Sequence, residues 1–250
     1  MTRARILQWA IVLGAFGLLE ALCRFRIITP FTMIPPSEMV VSLIRIARTQ
    51  SWFAEDTLYS LRNLMVAVVI AVFGGYLAGL VVHALPRLRA CLDPLFSSYY
   101  SVPTFILYPL FIVLFGIGPM SLIVMGSVFG VVAMISATLT ALDRIPRVLV
   151  KVARIEKLGP LRTIALIKLP AAAPHLFTGL KLAVAYCIIG VIAGEFILAT
   201  AGIGRRLSLS YNNFDNATMY GVLLLILAFA ASVNGALNVW ERRIHRRWFR

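Results

Sequence analysis

Apolar residues in this chain come in long blocks rather than in the short alternating runs of strands. Residues 94–142 and 216–240 carry no charge at all, and roughly 20 apolar residues suffice to cross a bilayer as a helix. Six spans are predicted, from Ile6 to Leu22, Leu64 to Leu85, Leu95 to Phe115, Met120 to Leu142, Leu176 to Ala199 and Thr218 to Trp240. The expected class is all-α, a polytopic membrane protein with about six transmembrane helices. The first block follows Arg3 and Arg5 and is built like a signal peptide. No A-x-A site follows, however, and Leu22 is too bulky to precede a lipoprotein-type Cys23, so the block reads as a retained helix. Two parts are expected. Residues 1–63 hold the first helix and an outer amphipathic segment, in which Pro35-Pro36-Ser37-Glu38 opens a short surface helix. Residues 64–250 form the core, with a cytoplasmic loop at 143–175.

Composition narrows the class further. The chain is 60% apolar and 14% charged, where a soluble domain carries roughly 25% charged residues. A soluble enzyme, a disordered chain and a disulfide scaffold are excluded. Lys and Arg number 24 against 10 Asp and Glu. Because the surplus lies between and beyond the apolar blocks, the positive-inside rule accounts for it without nucleic acid as a partner. With both termini in the cytoplasm, sixteen of the 24 basic residues fall inside and seven outside. The seven include five arginines in the outer 24–63 segment, partly offset by Glu38, Glu55 and Asp56, together with Arg205 and Arg206. The three cysteines and three histidines are scattered and form no ligand set.

Catalytic machinery is absent: there is no phosphate loop, no H-E-x-x-H, no G-x-S-x-G and no carboxylate pair at useful spacing. Energy must come from a partner or from an ion gradient. Intramembrane acids often mark gradient coupling, and only Glu195 qualifies here. Its alternative is a simple pairing with Arg205 or Arg206. The loop after Asp143 carries more information. Arg147, Lys151 and Arg154 recur at i, i+4, i+7, and so do Val148, Val152 and Ile155. This spacing predicts a short amphipathic helix after Pro146, ended by Gly159-Pro160, with a second helix from Leu161 to Leu169 closed by Pro170. Two readings stand: a basic helix resting on anionic headgroups, or an apolar knob entering a groove on a cytoplasmic partner.

At this loop the sequence resembles a known family. Val152-Ala153-Arg154, then Ile167-x-Leu169-Pro170-Ala171-Ala172-Ala173-Pro174 and Thr178-Gly179-Leu180-Lys181-Leu182-Ala183, resemble the "EAA" loop of permease subunits of binding-protein-dependent ABC importers. Pro35-Pro36-Ser37-Glu38, Ser60-Leu61-Arg62, Leu92-Asp93-Pro94, Val102-Pro103-Thr104, Phe115-Gly116-Ile117-Gly118, Glu195 with Gly202-Ile203-Gly204, and Trp240-Glu241-Arg242-Arg243 resemble its sulfonate, nitrate and taurine branch. The similarity runs in order from about residue 30 to the end. Counted back from Pro170 without gaps, the family's Glu falls on Lys151 and its Gly on Lys157, with Gly159 two residues later.

The resemblance implies a type I importer (MetI-like) fold in the bacterial inner membrane and a second copy of the chain. Two cytoplasmic ATPase subunits would bind ATP and Mg, with no cofactor in this chain. An extracytoplasmic binding protein would deliver a small organic or anionic nutrient of the sulfonate, taurine, nitrate or pyrimidine-precursor class. It assigns ATPase coupling to Arg147, Lys151, Val152, Ala153, Arg154, Ile155, Lys157, Leu158, Gly159, Leu169 and Pro170. The charge reversal at Lys151 implies a matching change on the ATPase. Pro103 and Pro109 would bend the third span beside the pathway. Tyr100, Thr104 and Tyr108 are polar handles in that span, and Tyr99 with Tyr100 also suits the membrane interface. Glu195 completes the candidates for the translocation path. The rival from another class is a gradient-driven carrier using Glu195, which leaves the basic loop without a task. A membrane anchor would tolerate wholesale change around Pro103–Pro109.

Overall fold

The computed structural model describes residues 3–99 and 104–248, and every regular element among them is helical. In chain order these are α1 (Arg3–Arg24), α2 (Pro36–Thr49), α3 (Trp52–Ala84), α4 (Pro86–Tyr99), α5 (Tyr108–Phe115), α6 (Pro119–Asp143), α7 (Arg147–Ile155), α8 (Pro160–Thr163), α9 (Leu169–Leu198), α10 (Ile203–Asn212) and α11 (Asn216–Trp248). Within the described residues, four helices are long and apolar enough to cross a membrane, centred on α3, α6, α9 and α11. Helix α1 occupies the place of the first expected span.

The third expected span covers the last described residues of α4, a 3₁₀ turn at Thr104–Leu107, and α5. Gly116, at φ 78°, ends α5 and leads to a new helix start at Pro119. Two other expectations shift. Helix α3 begins at Trp52, twelve residues before the apolar run, so residue 63 lies inside a helix. The expected stop at Pro170 does not occur. A π turn at Ile164–Lys168 leads without a break into α9, and Leu169 N–H bonds Ile164 O. The wider turn gives the ring of Pro170 room where a regular turn would clash.

The bundle is organised around α3, α6 and α9. On α3 the inward stripe is Leu64, Ala67, Ala71, Gly75, Gly79 and Val82, while Val66, Val69, Ile70, Phe73, Leu77 and Val81 point outward. Small residues inside and large apolar ones outside is the arrangement for lipid, where close backbone approach replaces the hydrophobic drive. Gly126 and Gly130 of α6 lie at the crossing with α9. A methyl on Gly190 would stand 2.8 Å from Gly126 Cα, and one on Gly126 would stand 2.7 Å from Val191. Cys187 and Val191 are fully buried in this seam.

The remaining helices are tied on by polar contacts. Glu20 of α1 accepts from Ser37 N at 3.0 Å and Ser37 Oγ at 2.7 Å, at the start of α2. Lys181 of α9 reaches Glu241 at 2.7 Å and Asn238 at 3.1 Å on α11. The Trp240 ring packs edge-on against Phe177 at 5.2 Å.

Candidate functional site

The chain has two ends of contrasting chemistry, and Glu195 belongs to the first. It lies near the C-terminal end of α9 and is fully buried. Its Oε2 accepts from Ser60 Oγ at 2.7 Å and from Gly204 N at 3.0 Å. Ser60 in turn accepts from Ile203 N at 2.9 Å, and Asp56 Oδ1 accepts from Gly202 N at 3.0 Å. The first N–H groups of a helix have no partner within it. At α10 three such donors are met by side chains from α3 and α9, and the carboxylates also suit the positive end of the helix. Arg206 pairs with Asp56 and stacks over the Trp52 ring at 4.7 Å. The expected pairing of Glu195 with Arg205 or Arg206 is therefore corrected, because Arg206 goes to Asp56 and Glu195 caps a helix. Gly202 makes the turn possible. Its φ of 107° is open only to glycine, and a Cβ there would lie 2.7 Å from Glu195 Oε1.

The other end carries the basic loop. Helix α7 forms over Arg147–Ile155 as its periodicity predicts. Ala153 is buried against the bundle, while Val148 and Ile155 are 68% and 76% exposed and Val152 is 42% exposed. Lys151 is exposed beside them. The helix ends in a Schellman turn: Leu158 N–H bonds Ala153 O at 3.0 Å, and Lys157 takes φ 49°. The left-handed position falls on Lys157, where the ungapped register puts the family's glycine, and Gly159 lies beyond the turn. Leu169 and Pro170 stand at the start of α9.

Arg89 of α4 grips Asp143, the last residue of α6, with two bonds of 2.8 and 2.7 Å. The hydrogen-bonded carboxylate holds its guanidinium above the ordinary value. Tyr99 donates to Val128 O at 2.9 Å, fixing the far end of α4 to α6.

Of the residues proposed for a path in the third span, Tyr100 and Pro103 lie outside the described residues. Thr104 opens the 3₁₀ turn and Pro109 sits in the first turn of α5. Tyr108 is fully buried with Leu122 and Met125. Neither Tyr108 nor Glu195 faces an open surface of the chain.

Sequence reading missed a cavity between α6 and α9. It is open on one side, has a volume of about 590 Å³, and has Ala133, Ala137 and Gly179 among its lining residues, with Ser136, Thr140, Arg144, His175, Thr178 and Tyr186 as polar groups. A signal was present: Ser136, Thr140 and Arg144 are four apart on one face of α6, and His175, Thr178, Leu182 and Tyr186 recur at helical spacing on α9. A four-residue hydroxyl pattern within an uncharged block has no distinctive hydropathy, so it passed as packing.

Comparison with known proteins adds the following. A family model described as "Binding-protein-dependent transport system inner membrane component" matches residues 38–250. The taurine transport system permease protein TauC of Escherichia coli (strain K12) is 30% identical over 228 residues, which is 88% of this chain and 81% of TauC. The nitrate import permease protein NrtB of Leptolyngbya laminosa is 26% identical over 185 residues, 74% of this chain and 66% of NrtB. Among solved structures, an inward-facing conformation of the MetNI methionine ABC transporter superposes with a TM-score of 0.67 at 19% identity, covering 77% of this chain and 96% of that one.

Proposed function

The chain belongs to the family of binding-protein-dependent transport system inner-membrane components, an ABC importer permease subunit, and from that premise we propose that it moves a small anionic nutrient into the cytoplasm by alternating access. Two copies face one another across the pathway. Two ATPase subunits bind beneath them and hydrolyse ATP there, and an extracytoplasmic binding protein delivers the cargo. Both termini and the 143–175 loop are cytoplasmic in this reading, supported by the distribution of basic residues.

The observation that carries the proposal is the bare apolar face of α7. Val148, Val152 and Ile155 stand in the open on a nine-residue helix whose other side is anchored through Ala153. Such a knob, with Lys151 exposed beside it, suits insertion into a groove on a cytoplasmic subunit. Closure of the ATPases would push α7, and the Schellman turn at Lys157 would pass that push through α8 and the π turn to α9. The third segment, with Tyr100, Pro103, Thr104 and Pro109, is assigned to the wall of the pathway, where irregular backbone such as the 3₁₀ turn at Thr104–Leu107 is tolerated if it lines a cavity. Tyr108 and Glu195 lie behind it in the interior. The names of TauC and NrtB favour an organic sulfonate or nitrate-like anion as cargo.

Gentle detergent extraction from the native cells, followed by mass spectrometry, tests the reading. An ATPase subunit at near one-to-one stoichiometry is expected, with a binding protein in substoichiometric amounts. Recovery of the chain alone, from a preparation whose other complexes are intact, would overturn it.

A further inference from the structure

The cavity between α6 and α9 has the size of a small-molecule site and an unusual charge balance. It exists because the helices meet through small residues. Ala133, Ala137 and Gly179 line it, and a Cβ on Gly179 would collide with Ala137. Two residues with N–H donors also line it: Arg144, the C-cap of α6, and His175, on the second turn of α9. Packing of Leu142 and Ile145 with Ala172 and Leu176 holds these two helix ends together.

The neighbouring charges are already spent. Asp143, next to Arg144 in the chain, is gripped by Arg89 with two hydrogen bonds. Glu241, which accepts from Thr178 at 3.4 Å, is held by Lys181 at 2.7 Å. Arg144 has no carboxylate partner among the described residues. The Thr140 hydroxyl donates back to Ser136 O at 2.9 Å, so its methyl adds to the apolar wall and its proton is not on offer. The cavity therefore offers a guanidinium, an imidazole and the Ser136 hydroxyl beside an apolar lining.

We propose that this cavity binds a small organic anion, its oxygens on Arg144 and His175 and its hydrocarbon part on Ala133, Ala137 and Leu182. A guanidinium matches the paired oxygens of a sulfonate or carboxylate in a two-pronged bond. The volume, with its apolar lining, fits an organic anion of several heavy atoms better than bare nitrate. Resting on the importer reading above, the cavity at the α7 end of the bundle is where such a cargo is last held before release.

The test needs no knowledge of the cargo. Thr140→Cys is introduced in the full chain with the exposed Cys91 changed to Ser; Cys23 and Cys187 are buried. In membrane vesicles carrying the assembled importer, its labelling rate is measured with two methanethiosulfonates of similar size, one ending in a sulfonate and one in trimethylammonium. Arg144→Gln should lower the anionic-to-cationic rate ratio about three- to tenfold, and Arg144→Lys should restore most of it. Millimolar ethanesulfonate should slow labelling, while ethanediol should not. A ratio unchanged by Arg144→Gln, or labelling indifferent to ethanesulfonate, overturns the site. Because ATPase co-purification is read separately, loss of the site leaves the importer reading standing, and loss of the ATPase leaves the anion site standing.

Discussion

The Glu195 end and the α7 end of this chain handle charge in opposite ways. Around Glu195 the described polar groups are turned inward: Asp56 meets Arg206 and Gly202, Ser60 meets Ile203, and Glu195 meets Ser60 and Gly204. Around α7 the apolar side chains are bare, and Arg144 lines a cavity with no carboxylate partner among the described residues. The first end is closed on itself and serves the fold, whereas the second leaves apolar side chains exposed, which the proposed docking would cover. Substitutions at the first end should cost stability, and those at the second should cost association or cargo handling at unchanged stability.

The largest effect is expected from Gly202→Ala. The backbone angle and the contact with Glu195 both exclude a Cβ, so we expect a loss of about 3 kcal/mol or more, read as a fall in Tm and in the yield of detergent-stable protein. A normal Tm would mean that the latch is slack and the contrast false. Next comes the double change Val152→Asp with Ile155→Asp. It should leave the stability of the isolated chain within about 0.5 kcal/mol of the parent, read as an unchanged Tm, yet reduce ATPase recovery at least roughly tenfold, as expected for anchor residues. Equal loss of Tm would show that α7 packs on its own bundle instead.

Glu195→Gln is smaller and sharpens the comparison. The amide oxygen can still accept from Ser60 and Gly204, but its NH₂ takes the place of Oε1, which has no partner among the described residues. A cost of about 1–2 kcal/mol follows, with uptake per folded transporter kept within about twofold. Complete loss of uptake from a well-folded variant would instead favour gradient coupling through this carboxylate. The smallest effect is at Lys157, where a side chain occupies a left-handed position at a cost of about 1 kcal/mol. Lys157→Gly should raise Tm slightly and leave transport as it was; a fall in Tm would mean that the lysine makes a contact worth more than its strain.

The two ends were unequally legible in the sequence. Helix α7 could be read because its signals are local: an i, i+4, i+7 apolar series, a leading proline and a closing Gly-Pro. Its Schellman turn at Lys157 could not, since lysine gives no hint of a left-handed backbone. The resemblance placed Glu195 beside Gly202-Ile203-Gly204 and included Ser60 in a separate motif, but nothing joined Ser60 or Asp56 to that turn, since they lie 143 and 146 residues from their backbone partners. Hydropathy also cut α3 short, because Glu55, Asp56, Arg62 and Asn63 look like the end of a span, although Asp56 and Asn63 are buried and Asp56 is held by Gly202 and Arg206. Pro170 misled for a related reason: a proline reads as a stop, and the π turn that accommodates it leaves no sequence mark. The third segment was half visible: its prolines suggested a bend, and among the described residues a 3₁₀ turn at Thr104–Leu107 precedes α5.

The separation between the two sides of the latch bears on how the chain is made. Helix α3 leaves the ribosome with Asp56 and Ser60 already in it, while Gly202 and Arg206 are 146 and 150 residues behind. At synthesis rates of about 5–20 residues per second, that interval is on the order of ten seconds. Throughout it, an acid and a hydroxyl bound for the protein interior have only water, headgroups or the insertion machinery for company. The N-terminal part of α3 cannot complete its contacts until α10 arrives, so until residues 202 and 203 are made the polar stripe at Asp56 and Ser60 stays unclaimed.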